Sequence, residues 1–271
     1  MALVQLANEL YLPPILNTEN PQSELVIQAN SMKKFKKYLK IINEQTKVFP
    51  NKFSKIQTLR YYFRWEKSLK ADSNPLSDEI PWINFPAIDF LQKIANPTMK
   101  VFEYGSGGST LFWARRVDKV YSIEHDKKWT EKVKEQLIKK NINNVSILHV
   151  PPVVDPAYTN RKIENPNDYI SDDESFHGYN FEDYVKTIDN YSENYFDVVI
   201  VDGRARPSCL LNARTKIKAG GYLLIDNTER NYYLQNTPPV LKDEKWEQHD
   251  FYGPVPYLNH FCRTTIFRKR K

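Results

Sequence analysis

Three glycines behind an acidic residue are the residue types in this chain best suited to bind a ligand through its backbone. The apolar run that begins at Val101 ends in Glu103, and Gly105, Gly107 and Gly108 follow directly. Because glycine has no Cβ, a turn built from it can bend sharply and let a ligand approach the main chain. The chain holds only eight glycines, so three in one turn carry weight. The helix predicted after the turn directs unpaired N–H groups towards the same place.

A second acidic residue, Glu124, ends the next predicted strand. In a doubly wound sheet this spacing puts a carboxylate beside the glycine turn, where it can accept hydrogen bonds from both hydroxyls of a ribose. The dinucleotide-binding fingerprint requires a further glycine where this chain has Thr110. The pattern therefore indicates a nucleotide-like ligand and disfavours a nicotinamide dinucleotide, which stays open as an alternative.

Three further polar residues follow two other predicted strands. Asp202 ends the continuous apolar run from Phe196, and Asp226 and Asn227 end the strand after it. Ligands of α/β proteins bind at the carboxyl ends of parallel strands. Three oxygen ligands at one such edge suit Mg²⁺. The alternative is that these side chains contact the cofactor or the acceptor, or shape a turn, without a metal ion.

The order of the predicted elements is typical of an α/β fold that positions these residues at one edge of a sheet. Amphipathic helices alternate with the first five predicted strands, whereas the last two strands have no helix between them and predict an antiparallel hairpin. We expect a doubly wound, Rossmann-like seven-stranded sheet, mostly parallel, with a reversed final strand. The predicted strands are Lys100–Glu103, Lys119–Glu124, Val145–Val150, Phe196–Val201, Tyr222–Ile225, Trp246–Phe251 and Phe261–Phe267.

The helices of this domain are predicted from local signals. One follows the glycine turn, and another follows Asp126, a residue type that caps helix N-termini. Further helices are predicted at Ala87–Ile94, at Phe181–Tyr191 and from Pro207 to the Gly220-Gly221 pair. The long polar and aromatic segment 155–179 predicts a loop that is either functional or disordered.

Residues 1–78 differ in character and predict an N-terminal arm followed by a basic helical cap, with residues 79–271 as the main domain. Residues 1–30 show no sustained period and predict an arm with one short helix. Residues 31–70 contain twelve bases and two acids, on two helical patterns around Met32–Ile42 and Ser54–Leu69. We favour a cap that packs on the main domain with its lysines in solvent, over a surface for phosphates or nucleic acid. The aromatic segment 81–86 predicts either a lining of the ligand site or a packing plug.

The composition excludes several classes of protein. Hydrophobic residues make up 41% of the chain and aromatic residues 13%, which is typical of a globular protein. No apolar run is long enough to cross a bilayer, and the N-terminus lacks a basic-then-apolar signal pattern. Cys209 and Cys262 give no disulfide framework. The expected location is the cytoplasm.

The segments 103–110 and 122–126 together resemble motifs I and II of class I S-adenosylmethionine-dependent methyltransferases. Segments 196–203 and 219–225 resemble the fourth and fifth strand motifs of this family, and the similarity extends over residues 81–268. It implies a methyltransferase with S-adenosylmethionine as cofactor. The positions it assigns to the cofactor are Glu103, Tyr104, Gly105, Ser106, Gly107, Gly108, Ser109, Thr110, Glu124, His125 and Asp202. Glu103 and the glycines would hold the methionine part, Glu124 the ribose, and His125 would lie near the adenine.

The catalytic residues are less well defined by the resemblance. Asp202, Asp226 and Asn227 are similar to the metal-binding set of O-methyltransferases such as catechol O-methyltransferase, where the ion lowers the pKa of the acceptor hydroxyl. The lysine base of that family is replaced here by Ala205. The flanking arginines suggest binding of an anionic acceptor group instead. The catalytic candidates are Asp202, Asp226, Asn227, Arg204 and His177, with His249 and His260 as further candidate bases.

The most consistent function is O-methylation of a small molecule, such as a sugar hydroxyl, with Mg²⁺ as an open question. Nucleic-acid methylation is the first alternative and depends on the basic helices alone. The Asn/Asp-Pro-Pro-aromatic signature of amino methyltransferases is absent, and Cys209 does not directly follow a proline as the nucleophile of a C5-cytosine methyltransferase would. A nicotinamide-dependent oxidoreductase and a binding protein with a vestigial site also stay open.

Overall fold

The computed structural model describes residues 21–236, 241 and 244–271. The strands of the main sheet are β1 Lys100–Tyr104, β2 Lys119–Glu124, β3 Val145–His149, β4 Phe196–Val201, β5 Ile217–Ile225, β6 Trp246–Pro254 and β7 Phe261–Lys269. Within the described residues they form one seven-stranded sheet in the order β3–β2–β1–β4–β5–β7–β6. The final strand, β7, is antiparallel to both of its neighbours, while β1 to β5 pair in parallel. The predicted fold class is confirmed.

The helices flank this sheet and include an N-terminal extension. They are α1 Pro21–Val48, α2 Lys55–Leu59, α3 Tyr62–Ser68, α4 Pro75–Asp78, α5 Phe85–Ile94, α6 Gly108–Ala114, α7 Lys127–Lys139, α8 Glu182–Lys186, α9 Arg206–Ala213 and α10 Tyr232–Gln235. The predicted cap of α7 is confirmed, because the Asp126 carboxylate accepts a hydrogen bond from the Trp129 amide at 2.9 Å. In the described part of the chain, no helix is long and apolar enough to span a membrane.

The N-terminal extension differs in detail from the prediction. The first described helix begins at Pro21 and continues to Val48, so the predicted boundary near residue 31 between the arm and the basic helix is wrong; residues 1–20 of the predicted arm lie outside the described part of the chain. The single helix expected over residues 54–69 is divided into α2 and α3, which flank Arg60 and Tyr61. The helix expected over residues 181–191 continues after α8 as a short 3₁₀ turn, Thr187–Asn190.

The Gly220-Gly221 pair does not end a helix, which corrects the prediction. Helix α9 ends at Ala213, and β5 already begins at Ile217. The register of β5 against β4 shifts between the pairs at Phe196 and Val198, so the glycines lie in an irregularity of the strand. A Cβ at Gly221 would lie 2.8 Å from the Asp197 carbonyl oxygen, which explains the residue type there.

The apolar side chains of the extension share a core with one face of the sheet. Tyr38, Tyr62 and Trp65 are buried in the same cluster as Phe85 and Phe112. Polar contacts reinforce this packing, because the Trp65 Nε1–H donates to the Leu258 carbonyl at 2.8 Å. A second cluster covers the other face of the sheet; it includes Phe102, Tyr104, Tyr184, Phe196 and Leu210. The extension is therefore packed onto the hairpin of β6 and β7 and onto the sheet itself.

Candidate active site

A cleft of about 610 Å³ lies at the carboxyl ends of β1, β2 and β4. Its lining comes from the glycine turn, from Glu124 to Asp126 after β2, from Asp202 to Arg204 after β4, and from the 173–176 loop. Pro75 and Trp82 of the N-terminal region complete the wall. Of the aromatic segment 81–86, Trp82 lines the cleft, whereas Ile83 and Phe85 are buried in the core, so each of the two predicted roles applies to part of it.

The three glycines of the turn serve different purposes. Gly105 has a φ of +93°, and a Cβ there would lie 3.0 Å from the Gly203 Cα. A Cβ at Gly108 would lie 2.2 Å from the carbonyl oxygens of both Pro75 and Ile80, so this glycine allows the N-terminal region to sit against α6. Gly107 lines the cleft, and the atom nearest to a Cβ there would be a Trp129 ring carbon at 3.8 Å. Of the three, Gly107 is the glycine that leaves space for a ligand.

Glu103 supports the turn from below and does not line the cleft. Its side chain is fully buried and accepts hydrogen bonds from the hydroxyls of Ser109, at 2.8 Å, and Thr110. Burial raises the pKa of Glu103 to about 7, although these two hydrogen bonds oppose the shift. Thr110 Oγ1 also accepts from the Gly107 amide at 2.9 Å, so a threonine here ties the turn to β1. Tyr104 is buried as well and donates to the Val185 carbonyl.

Glu124 lies beside the turn and lines the cleft. One carboxylate oxygen, Oε2, accepts from the Ser106 amide at 2.9 Å and from its hydroxyl at 3.1 Å. The other, Oε1, accepts from the amides of His125 and Asp126 at 2.8 and 3.0 Å. Burial acts to raise the pKa of Glu124, but the His125 side chain and these amides outweigh it, so the pKa is lowered. The carboxylate is therefore held in its charged form at the cleft.

His125 and Arg204 extend this arrangement to the loop on the opposite side of the cleft. The His125 Nδ1 lies 2.7 Å from Glu124 Oε1, and its Nε2 accepts a hydrogen bond from Arg204 Nε at 3.2 Å. Arg204 in turn pairs with the Asp173 carboxylate at 2.6 Å and lies over the Phe176 ring. Both imidazole nitrogens lie against protein groups, so His125 contributes its ring and not a free base.

Asp202, Asp226 and Asn227 lie together, but a guanidinium lies among them. Arg206 donates to the carbonyls of Asp202, Gly203 and Asp226 and to Asn227 Oδ1, over 2.7 to 3.2 Å. Its Nη2 also lies 3.1 Å from Asp202 Oδ1. Arginine has five N–H donors, so at most one is left for a ligand. Arg206 is thus engaged mainly by protein groups, and its binding of an anionic acceptor group stays a prediction.

The metal-binding interpretation is not supported by this geometry. Asp226 is 2% exposed, and its Oδ1 accepts a hydrogen bond from the Thr264 hydroxyl. Burial, with repulsion from Asp202, raises the pKa of Asp226. Across the described residues, no group of three or more His, Cys, Asp or Glu side chains is arranged to hold a metal ion.

The remaining candidate bases lie elsewhere. His177 is exposed and stacks on Tyr158 with ring centroids 4.5 Å apart, and it does not line the cleft. His249 lies on β6 beside Glu247, and His260 is exposed in the turn before β7. None of the three is brought to the cleft.

Sequence reasoning missed several lining residues. Trp129 lies in the first turn of α7, where its Nε1–H donates to the Ser106 carbonyl at 2.7 Å and its side chain lines the cleft. Its position in the first turn after a strand-end acid was the available signal. Pro75, Asp173, Ser175 and Phe176 gave no comparable signal, because long-range packing brings them to the cleft.

Solved structures with a similar fold include two with TM-scores of 0.50 or above. The O-methyltransferase TomG from Streptomyces achromogenes, which was crystallised with S-adenosylmethionine, gives a TM-score of 0.52 at 15% identity, over 79% of this chain and 99% of that one. A Corynebacterium glutamicum protein gives 0.50 at 10% identity, over 80% and 98%. An rRNA methylase from Streptococcus thermophilus gives 0.45 at 16% identity, over 74% and 100%.

No protein-family model matches the chain, and no curated protein does. At such low identities the structural similarity concerns the fold and not the acceptor. The strand order with its reversed final strand and the match to an S-adenosylmethionine-bound enzyme agree: the chain has the fold of class I methyltransferases.

Proposed function

We propose that this protein is an S-adenosylmethionine-dependent methyltransferase that acts on a hydroxyl of a small molecule, sugars included. The observation that carries the proposal is the charged Glu124 carboxylate at the cleft, 2.9 Å from the Ser106 amide of the glycine turn. This is the arrangement expected for a ribose-binding acid next to a backbone cradle.

The residues of the cleft fit the cofactor. Gly107 leaves space beside the turn, and the charged Glu124 carboxylate lines the cleft next to it, where a ribose hydroxyl would have to share it with the amides of the turn. Ser106, Gly107, Ser109 and Trp129 would surround the methionine end, and His125 and Phe176 the adenine. When bound, S-adenosylmethionine supplies a methyl group activated by its sulfonium.

Asp202 is the residue best suited to act on the acceptor. Its side chain is 25% exposed and lines the cleft, with Oδ1 paired to Arg206. Among the described residues, Oδ2 has no hydrogen-bond partner. Burial raises the pKa of Asp202, although Arg206 and Arg204 oppose the shift, and a raised pKa makes a carboxylate a better proton acceptor. We propose that Oδ2 receives the proton that the acceptor hydroxyl loses.

The proposed reaction needs no metal ion at the strand ends, because Arg206 supplies the positive charge there. The basic residues Lys33, Lys36, Lys37 and Lys40 of α1 are exposed and do not line the cleft, so they do not favour a nucleic-acid acceptor.

Calorimetric titration with S-adenosylhomocysteine, and separately with NAD, tests the central proposal. We expect the first to bind and the second not to bind. Absence of S-adenosylhomocysteine binding to the wild-type protein would refute the proposal, and NAD binding would favour the oxidoreductase alternative.

Thermal unfolding with and without Mg²⁺ tests the metal-free centre without an acceptor. An ion bound at ten times its Kd stabilises a protein by about 1.4 kcal/mol, or about 2 °C or more at this size. We expect the Tm in 10 mM MgCl₂ and in EDTA to agree within about 1 °C. A rise of about 2 °C or more with Mg²⁺, abolished by Asp226→Ala, would show a metal site.

A further inference from the structure

Trp82 presents a fixed aromatic surface to the cleft. Its side chain is 49% exposed although it lines the cleft. The indole Nε1–H donates to the Pro256 carbonyl at 3.1 Å, and the ring packs edge-on against Tyr257 with centroids 6.2 Å apart. The polar end of the indole is thus satisfied by protein, and what remains exposed is the apolar ring, which is suited to stacking against another ring.

The segment that carries Trp82 is anchored at several points. Glu79 lies 3.1 Å from Arg115 Nε and 2.6 Å from Lys140 Nζ, which ties α4 to the ends of α6 and α7. Asp78 accepts a hydrogen bond from the Tyr257 hydroxyl at 3.0 Å. These contacts hold Trp82 in place before any ligand binds, so little ordering cost is added on binding.

The same segment lies directly over the glycine turn. The carbonyl oxygens of Pro75 and Ile80 are 2.2 Å from where a Cβ of Gly108 would be. Trp82 follows Ile80 by two positions and lines the same cleft as the glycine turn. A group bound against Trp82 is therefore near the place proposed for the methionine end of the cofactor.

The charges of the cleft restrict the acceptor. Among the described residues that line the cleft are two arginines, Arg204 and Arg206, and four acidic residues, Glu124, Asp126, Asp173 and Asp202. Arg206 has at most one free donor, and Arg204 is paired with Asp173 and His125. Because acidic groups are in excess and neither cation is free of protein partners, a phosphate or carboxylate on the acceptor would be repelled.

We infer that Trp82 is the residue that selects the acceptor, and that the acceptor presents an uncharged planar ring to it. This inference rests on the proposed function, since it names the acceptor class of the same site. The ring of the acceptor would stack on the indole, and the hydroxyl beside it would face Asp202.

Three small probes, titrated into the protein saturated with S-adenosylhomocysteine and followed by ligand-observed NMR, test this inference. Catechol carries the neutral planar ring. 3,4-Dihydroxybenzoate adds a carboxylate to the same ring, and trans-1,2-cyclohexanediol keeps the diol without the aromatic ring. We expect catechol to bind best, with each of the other two at least about 3-fold weaker.

Substitution at Trp82 provides the matched control. Trp82→Ala should weaken catechol binding by about 3- to 10-fold, as expected for the loss of one stacked ring, while Trp82→Phe should retain most of it. The Kd of S-adenosylhomocysteine should change by less than about 2-fold in both variants.

Each failure has a distinct meaning. If S-adenosylhomocysteine does not bind the wild-type protein, the proposed function fails first. If it binds, the inference is overturned by any of these results: equal binding of the three probes, no catechol binding, an unchanged catechol Kd in Trp82→Ala, or an equal loss of S-adenosylhomocysteine affinity in that variant.

Discussion

Glu103 and Glu124 both stand at the carboxyl end of a parallel strand, yet their surroundings give them opposite properties. Glu103 is enclosed, and burial raises its pKa to about 7. Glu124 accepts hydrogen bonds from three backbone amides, and its pKa is lowered although burial opposes this. Hydrogen bonds to the charged form decide the difference. Glu124 is therefore the ligand-facing acid, and Glu103 is part of the scaffold.

Glu124→Gln should weaken the binding of S-adenosylhomocysteine by about 10-fold or more, because hydrogen bonds to a charged group are worth about 1.5–3 kcal/mol. Calorimetric titration of the folded variant measures the effect. Glu131→Gln, the same substitution at an exposed position of α7, is the control and should bind as the wild type does. Equal affinities for all three proteins would remove Glu124 from the proposed site.

Glu103 should make the stability of the protein depend on pH. Its pKa is about 7 in the folded state and 4.5 ordinarily, so between these values the folded state holds more protons than the unfolded state. The contribution of this group to stability therefore falls as pH rises from about 4.5 to about 7, and is constant above that. Glu103→Gln should flatten this part of the profile.

Urea unfolding at pH 5, 6 and 7 measures that slope. The neutral amide of Glu103→Gln resembles the protonated acid, so the loss of free energy of unfolding across this range should be smaller than in the wild type. Glu131→Gln again serves as the control and should keep the wild-type slope. A Glu103→Gln profile parallel to that of the wild type would mean that Glu103 is charged in the folded protein.

At the scale of elements, two neighbouring glycines of the strand-turn-helix unit from β1 to α6 have different surroundings. Both line the cleft, but a Cβ at Gly107 would meet no atom closer than 3.8 Å, whereas a Cβ at Gly108 would lie 2.2 Å from the carbonyl oxygens of Pro75 and Ile80. Gly107 has φ 164°, which is extended backbone open to any residue, so alanine is tolerated there on conformational grounds.

The variants Gly107→Ala and Gly108→Ala should therefore separate binding from stability. Gly107→Ala should weaken S-adenosylhomocysteine binding by about 10-fold with a change in unfolding free energy below about 1 kcal/mol. Gly108→Ala should lower the unfolding free energy by about 2 kcal/mol or more, because its Cβ would overlap carbonyl oxygens that are held in place. Calorimetric titration and urea unfolding of both proteins test this, and the reverse assignment would contradict it.

The elements of the sheet were largely predictable because their signals are local. The run from Val198 to Val201 is buried on both faces and reads as a central parallel strand. The prediction that the Gly220-Gly221 pair ends a helix was wrong, because a glycine pair is equally typical of a helix end and of an irregularity in a strand. The turn and Glu124 were found for the same reason as the strands: their spacing along the chain is fixed by the fold.

The acceptor side of the site was not predictable in the same way. Several oxygen atoms lie together at one edge of the sheet, from Asp202, Asp226 and Asn227. Either a metal ion or a guanidinium group can be bound by such a set of oxygen atoms. Only the position of the Arg206 side chain in the structure shows that a guanidinium group lies at these oxygen atoms. The contact of Pro75 with Gly108 joins residues far apart in sequence, and no local pattern records it.

For the molecule as a whole, the N-terminal extension and the sheet are connected through one hydrophobic cluster. Trp65 is 1% exposed, packs against Tyr38, and donates through Nε1 to the Leu258 carbonyl between β6 and β7. The extension also brings Pro75 to the cleft, and Trp82 follows directly after it. We propose that the described part of the predicted cap, residues 21–78, unfolds together with the main domain, since its buried apolar side chains lie in the same core.

Trp65→Ala should then destabilise the entire protein and not the extension alone. Truncation of a buried tryptophan costs about 3–5 kcal/mol, and here the Leu258 carbonyl also loses its donor. In calorimetry and in urea unfolding followed by circular dichroism, wild type and variant should each show one transition, with that of the variant shifted to lower temperature and lower urea. Trp65→Phe, which keeps most of the buried ring, should lose clearly less. Two separate transitions, with S-adenosylhomocysteine raising the Tm of only the upper one, would show instead that the extension is an independent unit and that the cleft forms without it.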